Sequence, residues 1–145
     1  MKYLFIIIIS WTTAIPLMKA QNTPEMIKVG GGTFTMGDEK GIGEPDEKPT
    51  RKIKLNDFYI SRTEVTVSQW QAFCEATKRS MPLTPDWGWQ TDHPVVSITA
   101  LEADEYCKWL SGKTRKKFRL PTEAEWEFAA RGGTKSKGYT YSGSN

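Results

Sequence analysis

Histidine and cysteine are scarce in this chain: His93 stands alone, and Cys74 and Cys107 are the only thiols in 145 residues. A lone histidine without a second His or Cys at ligand spacing does not make a zinc site, so His93 is expected to act as a structural hydrogen-bonder. Two cysteines allow one intramolecular disulfide, and an oxidising compartment would permit it. The alternative is two separate buried thiols packed as small apolar side chains. Gly-x-Ser-x-Gly, a phosphate-cradling glycine loop and a His-rich metal motif are all missing, which removes the usual signals of a hydrolase, a nucleotide-binding enzyme and a metalloprotease. There is no long basic run or arginine-rich helix, because residues 113–117 are a short cluster; nucleic acid is not an expected partner.

Long apolar runs are missing too, with one exception at the N-terminus. Lys2 supplies a positive start, residues 4–11 an apolar stretch, and Met18-Lys19-Ala20 a small residue before Gln21. That is the pattern of an export signal. The stretch is too short, and too soon broken by Pro16, to span a membrane comfortably. Residues 1–20 are therefore expected to direct the chain to the periplasm or outside the cell, with residues 21–25 as a short linker and no membrane-spanning segment once the signal is removed. Loss of Lys2 and Lys19 leaves 18 basic residues against 17 acidic, a net charge of +1, so the pI of about 8.8 overstates how basic the mature protein is. The 125 residues left are enough for one domain.

What is present begins with Met26-Ile27-Lys28-Val29 and Thr33-Phe34-Thr35-Met36-Gly37 around Gly30-Gly31-Gly32, which predicts a hairpin with a glycine turn. Residues 38–50 are polar and broken by Gly41, Gly43, Pro45 and Pro49. Their five acidic residues hint at calcium, but the alternating ligand spacing is missing and Lys40 and Lys48 dilute the charge; a solvated loop is expected. Residues 51–55 and 58–63 predict two strands turning at Asn56-Asp57. Three capping boxes follow, Thr66-x-x-Gln69, Thr99-x-x-Glu102 and Thr122-x-x-Glu125, each opening a helix. The expected inner faces are Trp70, Phe73, Cys74 and Thr77; then Ala103, Tyr106, Cys107 and Leu110; then Trp126, Ala129, Ala130 and Gly133. Ser111-Gly112 is expected to end the second helix and Gly132-Gly133 the third. Between the first two helices, Trp87 and Trp89 are expected to cover the core from outside, and residues 92–97 to form a short buried strand.

The run Arg119-Leu120-Pro121-Thr122-Glu123-Ala124-Glu125-Trp126-Glu127-Phe128-Ala129-Ala130-Arg131-Gly132-Gly133 resembles the signature of the formylglycine-generating enzyme (sulfatase-modifying factor) family. The Thr-Phe-x-Met-Gly phrase at residues 33–37 and Glu64-Val65-Thr66 resemble the same family, and the likeness extends from about Met26 to Asn145. It implies an irregular, loop-rich α+β fold of the C-type-lectin-like kind, of which residues 26–145 would be the N-terminal half. It also implies kinship with oxidases that use oxygen and copper to convert a sulfatase cysteine to formylglycine. In that family the copper-holding cysteine pair and the calcium ligands lie in the C-terminal half, and no position here matches them. The cysteine matching Cys107 bridges there to a partner near the C-terminus. No catalytic, cofactor-binding or metal-ligating residue is therefore assigned within this chain; copper and calcium are expected only in a full-length member, and a sulfatase-type polypeptide is the expected substrate there. The other reading is a non-enzymatic ligand-binding or surface- or secretion-associated protein on the same scaffold, since fold does not fix function. On either reading, three amphipathic helices are expected to need an opposing apolar surface.

Overall fold

The computed structural model describes residues 23–39, 41 and 44–138, the side chain of Asp46 apart. The expected export signal lies outside them. The elements run β1 (Met26–Val29), β2 (Gly32–Met36), β3 (Arg51–Leu55), β4 (Phe58–Ser61), α1 (Val67–Thr77), α2 (Ala100–Thr114) and α3 (Glu123–Ala130), with 3-10 turns at Pro45–Glu47 and Gly133–Lys135.

The two expected hairpins do not form. β1 pairs antiparallel with β4 and β2 with β3, in one shared register: Met26 faces Ser61, Val29 faces Phe58, Gly32 faces Leu55 and Met36 faces Arg51. The four strands make a single long ribbon whose tip is the 37–50 loop. Gly30-Gly31 and Asn56-Asp57 are the place where its two arms break step together. Gly31 is required there, because a Cβ on it would lie 2.4 Å from the Leu55 carbonyl oxygen. Its amide donates to Asp57 Oδ1 at 2.9 Å, and Lys28 pairs with Asp57 at 2.9 Å. A glycine run and an Asn-Asp pair signal a turn equally well when each is read alone; only their pairing across the ribbon separates a pinch from a turn.

All three helices start where the capping boxes place them. Thr66, Thr99 and Thr122 each accept from the backbone three residues on, and Gln69, Glu102 and Glu125 each return the bond. The C-termini differ from expectation in one case. α2 continues through Gly112 to Thr114 and stops at Arg115, which adopts a left-handed φ of 57°. Glycine permits a stop but does not force one. Ser111 meanwhile donates to the Cys107 carbonyl at 2.7 Å and accepts from the Phe118 amide at 2.8 Å, so it docks the segment after the helix.

The core joins α1 to α2. Trp70, Phe73, Cys74, Tyr106 and Leu110 are buried together, with Val65 and Ile98, the residues preceding the two caps, packed against them. Trp70 stacks on Tyr106 at 5.5 Å, and Phe73 meets both rings edge-on. Thr77, expected on this face, is exposed. Residues 92–97 do not make a strand. Pro94 forms an isolated bridge to Thr66, while the His93 and Thr91 carbonyls accept from the Val67 and Ser68 amides. The segment therefore satisfies free donors at the start of α1, where no earlier turn supplies acceptors. His93 serves through its main chain.

Candidate functional site

α3 is held differently from the other two helices. Its buried residues are Glu125 and Phe128, not Trp126, which is 61% exposed. Phe128 packs on Phe34 of β2 with ring centroids 5.1 Å apart. Around that contact the attachment is polar. Glu127 Oε1 accepts from the Gly37 amide at 2.9 Å, while Arg131 donates to the Gly37 carbonyl at 2.7 Å and the Thr35 carbonyl at 3.1 Å. Glu127 and Arg131 are themselves paired at 2.6 Å. The signature helix thus grips the end of the Thr-Phe-x-Met-Gly phrase, so two segments that carry the family likeness meet in space.

Two further signature charges are spent on each other. Arg119 grips Glu125 with both guanidinium nitrogens, at 2.6 and 2.7 Å, and Glu125 also accepts from the Thr122 amide at 2.8 Å. The Arg119 hydrogen bonds are the chief reason the Glu125 carboxyl is held down at about 2, against the opposing pull of burial. A carboxylate so committed is a poor proton carrier near neutral pH.

Because α3 turns Phe128 inward, Trp126 is left on the wall of a broad groove of ≈ 1390 Å³. The floor is the α2 face built from Ala103, Tyr106, Cys107 and Leu110, the same residues the helical spacing selects. One wall is Met26, Phe58 and Ile60 of the β1–β4 arm; the other is Phe118, Leu120, Trp126 and Ala130. Tyr59, Leu120 and Trp126 are large hydrophobics left exposed beside it. Tyr106 is only 2% exposed, yet its hydroxyl has no hydrogen-bond partner. Burial raises its pKa far above the usual tyrosine range, so the hydroxyl stays a proton donor.

The thiols do not suit copper. Both are free; Cys74 is buried in α1 and its thiol donates to the Ser80 carbonyl at 3.5 Å, while Cys107 sits on the groove floor in α2. Burial pushes both thiols up, away from the thiolate that a soft metal requires. The acidic loop does not suit calcium. Asp38 accepts from the Gly41 amide and pairs with Lys48, and among the described residues no three His, Cys, Asp or Glu side chains cluster tightly enough to hold a metal ion. Trp87 is 67% exposed and does not pack against the core cluster, contrary to expectation, whereas Trp89 is half-buried with its indole nitrogen unpartnered. A small cleft of ≈ 260 Å³ lies beside Cys74, Arg79 and Glu102, and Arg79 there is taken up by Glu105.

A mixed helix-and-strand scaffold with a pinched ribbon, three boxed helices and a signature helix clamped to the ribbon tip defines a sulfatase-modifying-factor-type fold. The chain belongs to the sulfatase-modifying factor enzyme 1-like domain family, whose model matches residues 12–145. It is 30% identical to the formylglycine-generating enzyme of Streptomyces coelicolor, over 87% of this chain and 53% of that protein. It is also 30% identical to the chaperone protein LppX of Paenibacillus barcinonensis, over 83% of this chain and 50% of that protein. Among solved structures, PvdO from Pseudomonas aeruginosa matches 84% of this chain and 55% of its own with a TM-score of 0.71 and 30% identity. The chain spans about half the length of the curated relatives it matches.

Proposed function

We propose that this chain is the structural half of an exported protein of the formylglycine-generating type. Its substrate would be a sulfatase-type polypeptide, and its copper-dependent oxidising centre lies outside residues 23–138. The observation that carries this reading is the division of labour around α3. Glu127 and Arg131 are taken up in holding the helix to the ribbon, Arg119 and Glu125 pair with each other, and burial raises the pKa of both thiols, Cys74 being buried and Cys107 half-buried. The test incubates the purified chain with copper, a reductant and a Cys-x-Pro-x-Arg peptide and looks for the aldehyde by mass spectrometry. No aldehyde above a copper-only control is expected; aldehyde above it would place the catalytic centre within these residues. Export is tested separately by cell fractionation and by N-terminal sequencing, which should begin at Gln21.

A second reading, a non-enzymatic binding module, is favoured by one finding: a relative at 30% identity is named a chaperone. An apolar groove flanked by exposed aromatic residues suits transient capture of unfolded chain. Suppression of aggregation of a denatured client at equimolar ratio, lost on Leu120→Glu, would select this reading over the first.

A further inference from the structure

The cations of this chain are unevenly placed. From Tyr106 to Thr122 there is no Asp or Glu, but there are six basic residues, Lys108, Lys113, Arg115, Lys116, Lys117 and Arg119. Lys108 pairs with Asp104 and Arg119 with Glu125. That leaves Lys113, Arg115, Lys116 and Lys117 exposed and, among the described residues, without a carboxylate partner. A second dense group of cations is balanced, since residues 38–54 hold five basic and five acidic side chains. A helix C-terminus carries about half a unit of negative charge, which one cation offsets; four exceed that need. The turn that carries them is fixed. α2 stops at Arg115, the Lys116 amide donates to Thr114 Oγ1 at 3.3 Å, and the Phe118 amide donates to Ser111 Oγ at 2.8 Å. Thr114 Oγ1 in turn donates to the Leu110 carbonyl at 2.8 Å, and Lys113 Nζ lies 4.7 Å from the Trp109 ring centre.

From these observations we infer that the turn at residues 113–117 is a docking surface for an anionic phospholipid membrane. It holds the chain by reversible adsorption, with the C-terminal end of α2 toward the headgroups. Exposed ammonium and guanidinium groups supply charge without enclosing walls. That suits an extended anionic surface, where each cation adds a similar increment, better than one small anion. The Lys116 and Phe118 amides are already taken within the turn, so they are not offered to an acidic peptide strand. A nucleic-acid strand would want an aromatic platform beside the cations, and the Trp109 ring is occupied by Lys113, Phe73 and Tyr106. The carboxylates of Glu102 and Glu105 stand about 12–16 Å back along α2 from Lys113, beyond the Debye length of about 8 Å at physiological salt, so they do not repel the surface. The inference goes beyond the oxidase and binding-module readings and depends on neither.

The experiment measures co-sedimentation of the full 145-residue chain with vesicles of mixed phosphatidylserine and phosphatidylcholine. Residues 1–20 contribute a common factor to every protein compared, so the patch is read from variants at one lipid composition. Arg115→Gln, Lys116→Gln and Lys117→Gln together should weaken binding about fivefold for each cation removed. The control removes three exposed cations elsewhere, Arg51→Gln, Lys52→Gln and Lys54→Gln on β3, and should weaken binding far less. Lys116→Arg with Lys117→Arg keeps the charge and should keep the affinity. An unchanged thermal transition checks that each variant stays folded. Raising the salt to about 1 M, where the Debye length is about 3 Å, should abolish the difference between wild type and the 115–117 variant. Equal losses in the 115–117 and β3 variants would assign binding to net charge and overturn the proposal. So would vesicle affinity indifferent to the 115–117 substitutions, or displacement from vesicles by duplex DNA or an acidic polypeptide at equal charge, because the turn would then serve another partner.

Discussion

Helices α1 and α2 close on one another through rings, whereas α3 is fastened to the ribbon through charges and leaves one flank bare. Their N-termini are built alike, each with a threonine cap and a returning Gln or Glu. The likeness ends there. Between α1 and α2, Trp70, Phe73, Tyr106 and Trp109 interlock with centroids 5.1–5.6 Å apart, and Arg79 and Lys113 lie over the Phe73 and Trp109 rings from outside. Between α3 and the ribbon the apolar contact is Phe34 on Phe128, with the Glu127–Arg131–Gly37 clamp around it. Aromatic burial is indifferent to pH and resists salt; a half-exposed ionic clamp is neither. The chain therefore has a self-sufficient half and a half whose inner surface is only partly used.

The largest effect should come from the self-sufficient half. Phe73 is among the most completely buried large side chains, and Phe73→Ala should cost about 3–5 kcal/mol. Phe128→Ala, in the smaller cluster, should cost about 2–3 kcal/mol. Urea unfolding of both variants checks the ranking. Equal losses would mean that α3 is as deeply integrated as α1 and would break the comparison.

The next effect is an acid sensitivity that is largest in the charged half. Glu125 has its folded pKa lowered from 4.5 to about 2. A depressed carboxylate stabilises the fold fully above its unfolded pKa and loses that contribution as pH falls through the folded value. The window is thus pH 4.5 down to about 2. The Glu125 side chain is mostly buried but Arg119 is half-exposed, so screening limits the contribution to about 2 kcal/mol. Comparing unfolding midpoints at pH 5 and pH 2.5 for wild type and Glu125→Gln isolates it from the carboxyls of Asp57, Glu102 and Glu105, whose pKa values are also lowered. The variant should show the smaller fall. An identical fall in both proteins would remove Glu125 from the account.

Caps come third and should not distinguish the halves. Thr99→Ala and Thr122→Ala each remove an oxygen that accepts from the helix backbone at 3.2 Å, worth about 1 kcal/mol apiece. A markedly larger loss at Thr122 would show that the Arg119–Glu125 pair depends on the cap for its position.

Much of this was legible in the residues, and the division follows the range of the interaction. The three helix starts rest on contacts three residues apart, and a local pattern determines them. The α1 and α2 faces rest on a run of aromatic residues at helical spacing, which leaves little choice of orientation. In α3 the spacing admits two stripes, one through Trp126 and Ala130 and one through Glu125 and Phe128. The second prevails because Phe34 and Gly37, some ninety residues earlier, receive Phe128 and Glu127. The same distance effect hid the ribbon, since a pinch and two turns differ only in which strands pair. Tyr106 was legible as core but not as an unpaired donor, because the lack of an acceptor depends on everything packed around it.

The smallest expected effect on stability is also the most direct test of the bare flank. Trp126 is the largest side chain on that wall and stands mostly in water. Trp126→Ala therefore removes little burial from this chain and should change its unfolding free energy by less than about 0.5 kcal/mol, as surface substitutions do. It also exchanges a residue of middling helix propensity for the best one, which offsets part of even that loss. Yet the wall loses its broadest apolar face, so an environment-sensitive apolar dye that fluoresces on binding wild type should bind the variant less. The two measurements pull apart only if Trp126 lies on an open surface. A loss of 2 kcal/mol or more with dye binding unchanged would mean that Trp126 packs inside the protein in solution, that α3 presents its other stripe outward, and that the second half of the fold is closed like the first.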